Sequence, residues 1–476
     1  MTDFFVQLES ILSQVSDYMW GVPLIVLLFG THIFLTVRLR FIQKYIGKAI
    51  KISFSTKKEG KGDISQFGAL TTALAATIGT GNIVGVGTAI AAGGPGAVLW
   101  MWLTGVFGIA TKYAEALLSV KYRVQHKDGY FAGGPMYVLE LGLKQKWLGI
   151  LFALFTAVAA FGIGNTVQAN SISALMQESL NLNPVIQKFF TGIGLSGFAN
   201  ILAGINLTAW ITGIILSVLT AIVIFGGIKS IASACEKLVP FMAIFYILGS
   251  IVLLVIGYET IIESIVLIFQ SAFSGHAAIG GFLGAGMKEA VRFGIARGLF
   301  SNESGLGSAP IVAASAQTKN PVRQALVSST GTFWDTVIVC ALTGIVIVNS
   351  GDWSKGLSGA LLTREAFSEF TIIGPVILTV ALFTFVFSTI LGWSYYGEKA
   401  IEYLLGEKSI KPYRFLWVAA VFLGSVASLP TVWHFADISN ALMALPNVIS
   451  LILLSGIIVK ETKKYLWENH LDDEWS

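Results

Sequence analysis

The chain has 476 residues, of which 54% are hydrophobic and 12% charged, with a formal net charge of +4 and a mean hydropathy of +0.74. Soluble domains carry about 25% charged residues, so this composition excludes an ordinary soluble protein and predicts an all-α polytopic membrane protein. The net charge by itself says little, and we expect no nucleic-acid partner. Cys235 and Cys340 show neither metal-ligand nor disulfide spacing.

Long runs without Asp, Glu, Lys or Arg predict eleven membrane-spanning helices, numbered here as spans 0 to 10. A helix rises about 1.5 Å per residue, so about 20 apolar residues cross the roughly 30 Å of hydrocarbon. Span 0 lies within 17–38, and spans 1 and 2 share the charge-free stretch 64–111, with a glycine-proline turn at 93–96. Spans 3 to 10 are predicted at 147–177, the later part of 189–228, 238–258, 264–287, 324–349, 370–397, 415–436 and 438–459.

The spans divide into two halves once span 0 is set aside. Each half holds five spans, an odd number, so the halves enter the membrane from opposite sides and are related by a pseudo-twofold axis in the membrane plane. The predicted units are therefore an N-terminal helix and basic loop at 1–63, a first repeat at 64–258, a second repeat at 259–461 and a tail at 462–476.

The loops predict the orientation, because positive residues near span ends stay on the cytoplasmic side. With the loop 38–63 inside, every lysine and arginine falls inside except Lys188, Lys355 and Arg364. This predicts a multi-pass plasma membrane protein, in the inner membrane of the cell, with its N-terminus outside and its C-terminus cytoplasmic. In this arrangement Lys112 follows the end of span 2, and residues 288–310 form a cytoplasmic gate or coupling segment.

Span 1 is crowded with glycine, at Gly79, Gly81, Gly85, Gly87 and Gly93. Glycine destabilises a helix interior by about 1 kcal/mol relative to alanine, so an interrupted helix is favoured. Close helix packing through small residues is the alternative. A second glycine-rich run at 271–286, in the matching span 6, favours the interruption, because broken spans at corresponding positions of two repeats indicate a transporter's central site.

A broken helix offers freed N–H groups to an anion and freed carbonyls to a cation at one point. We therefore expect Thr80, Gly81 and Asn82 to contact a substrate carboxylate. The carbonyl of Gly79 is expected to face a cation.

Other spans add polar groups. Span 3 carries Asn165 and Gln168, which either join helices or line a polar cavity, and Gln168 is the candidate substrate contact. The hydroxyls of Ser388 and Thr389 on span 8 suit sodium, although back-bonding within the helix is the commoner role of such a pair. Trp393 and Phe273 are candidate aromatic walls that limit substrate size.

Two ionisable residues within spans and one at a span end have no assigned role. Asp335 lies inside span 7 without an evident partner, and His276 lies near the glycine run of span 6. Lys237 opens span 5, where its side chain can snorkel to the membrane surface. No phosphate loop, catalytic carboxylate pair or metal-ligand cluster is evident in the sequence, so we do not expect an enzyme.

Several long motifs resemble the alanine or glycine:cation symporter family. They are TALAATIGTGNIVGVGTAI, GGPGAVLWMWLTGVFGIATKYAEALL, AGGPMY, RGLFSNESGLGSAPI and STILGWSYYGEK, and the resemblance covers essentially the whole chain. It implies a LeuT-like 5+5 inverted repeat with one extra N-terminal helix, and import of alanine or glycine together with sodium.

The resemblance also implies residue roles. It places substrate contacts at Thr77 through Asn82, Gln168 and Phe273, and a sodium site at Gly79, Ser388 and Thr389. Sodium is then the coupling ion, no other cofactor is expected, and the partners are a small amino acid, sodium and membrane lipid. A proton-coupled symporter stays open as an alternative, since proton-coupled relatives of this fold can place a lysine of span 5, here Lys237, where sodium would sit. A channel, from a different class, also stays open.

Overall fold

The computed structural model describes residues 2–55, 60–180, 182–193, 206–273, 286–357, 359–370, 373–427 and 430–475. Within these ranges the chain is a bundle of helices, and its one small sheet is the antiparallel pair β1 (Val124–Gln125) and β2 (Phe131–Ala132). Among the described residues, seven helices are long and apolar enough to cross a membrane, or eight if the bent pair Gln66–Thr77 and Thr80–Gly93 is counted as one span. The count of eleven spans stays a prediction.

The helices of the first half begin with α1 (Thr2–Met19) and α2 (Val22–Arg38), of which α2 corresponds to span 0 and α1 precedes it. The following helices are α3 (Ile46–Ser53), α4 (Gln66–Thr77), α5 (Val84–Gly93), α6 (Ala97–Lys121), α7 (Lys146–Phe161), α8 (Val167–Leu180), α9 (Leu182–Gly192), α10 (Leu207–Ile224) and α11 (Gly227–Ile256). A π-helical turn, Gly162–Thr166, joins α7 to α8 within span 3.

Nine further helices of eight residues or more lie in the described part of the second half. They are α12 (Ile261–Phe273), α13 (Met287–Asn302), α14 (Pro321–Thr332), α15 (Ala341–Ser350), α16 (Gly359–Phe370), α17 (Ile373–Leu405), α18 (Ile410–Val426), α19 (Pro430–Leu453) and α20 (Ser455–Thr462). The π-helix Phe333–Cys340 joins α14 to α15 and carries Asp335.

Span 2 extends past its predicted end. The sequence predicts an end at Thr111, because Lys112 closes the charge-free run, but α6 continues to Lys121. Lys112 and Glu115 lie inside this helix and are 4% and 2% exposed. The prediction that Lys112 belongs to a loop was wrong: its ammonium is buried within α6 without a described hydrogen-bond partner, and the carboxylate of Glu115 lies nearby on the same helix.

The prediction that 288–310 is a cytoplasmic segment conflicts with the predicted orientation of span 1. Residues Met287–Asn302 form α13, which lies antiparallel to α5, so that the backbone of Gly93 adjoins Glu289 and Ala290. The start of α13 therefore lies beside the end of α5, and the end of α13 lies beside the first residues that precede α5, where Ser301 adjoins Gly81. If α5 ends outside, as predicted, then Lys288 and Arg292 lie towards the outside as well.

The predicted break at 271–286 falls mostly on 274–285, which lie outside the described residues. The described chain breaks instead after α13, at residues 303–309, where Glu303, Gly305 and Gly307 have positive φ angles. The chain then resumes as the short helix Pro310–Ala313. We call residues 78–83, between α4 and α5, the first break, and residues 303–309 the second break.

Candidate functional site: two broken helices beside a hydroxyl pair

The first break bends span 1 by 62°. α4 ends at Thr77, the chain is extended at Ile78 and Gly79, and a single 3-10 turn, Thr80–Asn82, leads into α5. The glycine-rich sequence predicted this interruption correctly.

Hydrogen bonds of the Asn82 side chain connect this break to Asp335 of span 7. Its Oδ1 accepts a hydrogen bond from the backbone N–H of Gly79 at 2.9 Å, and its Nδ2 donates to Oδ1 of Asp335 at 2.6 Å. The other carboxylate oxygen of Asp335 accepts from Ser301 at 3.0 Å and Thr336 at 2.6 Å. Asn82 is thus fully engaged within the protein, and Asp335 has the partner that the sequence did not reveal.

Two backbone N–H groups in the middle of the first break remain available as hydrogen-bond donors. No hydrogen bond to a described residue takes up the backbone N–H of Thr80 or Gly81. Gln168 approaches from α8, where its Nε2 donates to the Thr80 hydroxyl at 3.3 Å and to the carbonyl of Ile163 at 2.9 Å. Its Oε1 is buried without a described partner and points towards Gly79. These groups can meet a small ligand that carries both acceptors and donors.

The polar residues of span 3 separate into two roles. Asn165 donates through Nδ2 to the carbonyl of Trp417 on α18 at 3.0 Å, and the ring of Phe161 packs on Tyr413 and Trp417. Because the π-helical turn adds a residue to the helical repeat, Gln168 faces the first break while Asn165 faces α18. Asn165 therefore joins two helices, and the role of Gln168 as a substrate contact stays a prediction.

The hydroxyl pair of α17 lies against the last turn of α4. Oγ of Ser388 is 3.2 Å from the carbonyl oxygen of Ala75, and Oγ1 of Thr389 is 3.3 Å from that of Ile78. Both hydroxyls also lie within 2.9 Å of the carbonyl oxygen of Phe385, so five neutral oxygens converge. Hard oxygen ligands of this kind suit sodium.

The Gly79 carbonyl has a different described partner. It accepts the Asn82 N–H at 3.3 Å, while a side chain at Gly79 would come within 2.6 Å of the Thr389 hydroxyl. Gly79 therefore permits the close approach of α17 to the break, and the carbonyls that face the hydroxyl pair are those of Ala75 and Ile78. Thr77, between them, returns its hydroxyl to the carbonyl of Ala73 at 3.1 Å.

Trp393 closes the other side of this region. Its ring packs on Gly164, where a Cβ atom would lie 2.3 Å from the Trp393 side chain. Its indole N–H donates to Oε1 of Glu303 at 3.0 Å, and Ser308 donates to the second oxygen of this carboxylate at 2.5 Å. The indole is thus fixed between span 3 and the second break.

Phe273 lies apart from this cluster. It is the last residue of α12, its side chain is 59% exposed, and its ring packs edge-on against Trp100 at 5.9 Å. Because Phe273 is exposed at the end of this 13-residue helix, it does not line the first break, and the prediction that it contacts the substrate there was wrong. His276 lies outside the described residues, and Lys237 is exposed on α11, whereas Met242 of the same helix lies beside Ser388.

The second break is closed by the chain's own carboxylates. Oε1 of Glu115, from α6, accepts the N–H groups of Gly305 and Gly307 at 3.0 and 3.1 Å and the side-chain amide of Asn447 at 2.7 Å. Neither Glu303 nor Glu115 was predicted from the sequence. The sequence did offer a signal for Glu303, an ionisable residue close to two glycines in the motif 297–311. The signal was missed because the motif was predicted to lie in a cytoplasmic segment and not within a span.

A helical membrane bundle with a broken span, freed backbone donors and an oxygen cluster at the break defines a secondary transporter. The family model of the sodium:alanine symporter family matches residues 5–474. The chain belongs to this family.

Relatives and a solved structure agree with this assignment. The chain is 48% identical to the sodium/alanine symporter AgcS of Methanococcus maripaludis, covering 96% of this chain and 97% of the relative. It is 50% identical to an uncharacterized transporter of Haemophilus influenzae, covering 98% and 99%. The crystal structure of MhsT with L-phenylalanine matches with a TM-score of 0.54 at 15% identity, covering 83% of this chain and 90% of that one, and confirms the predicted LeuT-like fold.

Proposed function

We propose that this protein imports a small neutral amino acid, alanine or glycine, together with sodium. The observation that carries the proposal is the juxtaposition at the first break. The hydroxyls of Ser388 and Thr389 meet carbonyls of α4 on one side, and the unengaged N–H groups of Thr80 and Gly81 follow within three residues of Ile78. One interruption of one helix can therefore hold a cation and a carboxylate close together.

In this mechanism sodium binds between α4 and α17, with oxygens from Ala75, Ile78, Phe385, Ser388 and Thr389. Binding there draws the end of α4 against α17 and fixes the direction of the chain at Gly79. The N–H groups of Thr80 and Gly81 then receive the substrate carboxylate, assisted by the positive end of α5. Gln168 offers its free Oε1 to the substrate ammonium, and the Trp393 ring limits the size of the side chain.

The two repeats, 64–258 and 259–461, are proposed to move against each other around this point. The first break belongs to one repeat and the second break to the other, which supports an inverted arrangement. We propose the N-terminus outside and the C-terminus in the cytoplasm.

Sodium-driven uptake of labelled alanine into proteoliposomes tests the proposal. We expect saturable uptake that follows an inward sodium gradient and resists an uncoupler. Uptake that ignores sodium but collapses with the uncoupler would instead indicate proton coupling, and a flux that fails to saturate would indicate a channel. The exposed position of Lys237 argues for sodium, since its ammonium does not replace the ion beside Ser388.

The double variant Ser388→Ala, Thr389→Ala tests the ion site directly. Losing two oxygen ligands should raise the sodium concentration for half-maximal uptake by about tenfold or more, since each factor of ten corresponds to only about 1.4 kcal/mol. Thr384→Ala is the matched control, because that hydroxyl lies on the same helix and bonds only to carbonyls of its own turn. Equal sodium dependence in both variants would assign the pair a structural role.

A further inference from the structure

A polar cavity of about 200 Å³ adjoins the face of α13 that turns away from α5 and α6. α13 supplies one wall, α19 a second, and the N-terminal segment that precedes α2 a third. The cavity has room for roughly six waters at about 30 Å³ each, and hence for a molecule as small as alanine. The lining residues that matter for its chemistry are Asp17, Trp20, Arg297, Phe300, His434 and Asp437.

Charges of both signs face this space. Arg297 lies in the last turn and a half of α13, and its guanidinium rests over the ring of Phe300 at 5.9 Å. No hydrogen bond or ion pair to a residue in the described ranges engages that guanidinium. Asp437, on α19, faces the same cavity, and its backbone carbonyl accepts the indole N–H of Trp20 at 3.1 Å.

Arg297 lies close to the level of the first break along α13. Arg297 precedes Ser301 by about one helical turn, and Ser301 adjoins Gly81 of the first break. Ionisable side chains at such depth are costly in hydrocarbon and normally face a polar cavity that serves a substrate or ion pathway. An arginine and an aspartate on opposite walls of one small cavity match the carboxylate and ammonium of a zwitterion.

Phe300 stands between this cavity and the first break. Its side chain lines the cavity, and a ring carbon lies 3.5 Å from the position that a Cβ atom at Gly81 would take. One aromatic side chain thus separates the polar cavity from the unengaged N–H groups of Thr80 and Gly81. Rotation of this ring would open the shortest passage between the two.

We propose that this cavity is a staging site for a small zwitterionic amino acid, with Arg297 binding the carboxylate, Asp437 the ammonium and Phe300 forming the door to the first break. The proposal rests on the proposed function, because the same substrate then moves from the cavity to the break. It also gives the segment that precedes α2 a role, since Asp17 and Trp20 complete the cavity wall.

The test measures alanine uptake from each side of the membrane, in intact cells and in inside-out vesicles. Arg297→Gln and Asp437→Asn should each raise the KM for entry from the cavity side by about three- to tenfold, the usual effect of losing one charged hydrogen bond at a partly exposed site. The KM from the opposite side should stay unchanged, and Arg297→Lys should restore part of the loss. Lys288→Gln is the control, since it removes one exposed positive charge from the same helix outside this cavity.

An unchanged KM from the cavity side in both variants would overturn the staging site. A fall in maximal rate from both sides with unchanged KM would also overturn it, because the two charges would then only hold α13 against α19. Failure of the proposed function appears elsewhere, in the unmodified protein, as alanine uptake that does not follow sodium.

Discussion

The two breaks differ in how their freed backbone groups are satisfied. At the first break, Asn82 bonds the N–H of Gly79, while the N–H groups of Thr80 and Gly81 meet no described acceptor. At the second break, Glu115 accepts two N–H groups, and Asn302 accepts that of Ser304 at 2.9 Å. A helix break is therefore not a binding site by itself: one keeps two unengaged N–H groups, and the other is occupied by a carboxylate of the same chain.

The buried carboxylate of Glu115 gives the largest expected effect. Glu115→Ala leaves two backbone N–H groups and the Asn447 amide unpartnered inside the bundle, which should lower the free energy of unfolding by at least about 3 kcal/mol and abolish uptake. Glu115→Gln keeps one acceptor and should lose less. Thermal unfolding followed by tryptophan fluorescence in detergent, together with uptake, measures both.

Glu263→Ala serves as the control for this prediction, because Glu263 is exposed on α12 and should leave both readouts unchanged. If Glu115→Ala unfolded like the control, the second break would not depend on this carboxylate, and the contrast between the two breaks would be lost.

The next largest effect is expected on the sodium dependence of uptake, from substituting one of two glycines in span 1. A methyl group at Gly79 would lie 2.6 Å from the Thr389 hydroxyl, so Gly79→Ala should displace one oxygen from the proposed ion site and raise the sodium requirement about tenfold. A methyl group at Gly85 would have its nearest neighbour 3.9 Å away, so Gly85→Ala should keep wild-type sodium dependence and slightly stabilise α5. Sodium titrations of alanine uptake compare the two, and equal responses would contradict the proposed site.

The smallest effect concerns the link between Trp393 and the second break. Trp393→Phe keeps a ring against Gly164 but removes the N–H that Glu303 accepts, which leaves Ser308 as the described donor to that carboxylate. We expect a rise of roughly two- to fivefold in the KM for alanine, the effect of one hydrogen bond.

Trp417→Phe is the matched control for this substitution, since Trp417 is equally buried and its indole N–H has no described partner. A KM that shifts equally in both variants would show that ring size, and not the bond to Glu303, determines the effect.

Local composition was sufficient to predict where part of the candidate site lies. Glycine spacing located the first break, and two adjacent hydroxyls placed Ser388 and Thr389 on one face of α17. Composition misled where a charge ended an apolar run, at Lys112 and again at residues 288–310. The prediction assumed that charges mark loops, whereas here they lie within the helices α6 and α13.

The sequence by itself determined the membrane class, most span positions and the first break, because apolar length and glycine content act through neighbouring residues. Only the tertiary structure decided which carbonyls face the hydroxyl pair, that Asp335 bonds Asn82, and that Glu115 fills the second break. Each of these pairs residues from distant parts of the chain, so its existence depends on how the helices pack and not on the composition of any one segment.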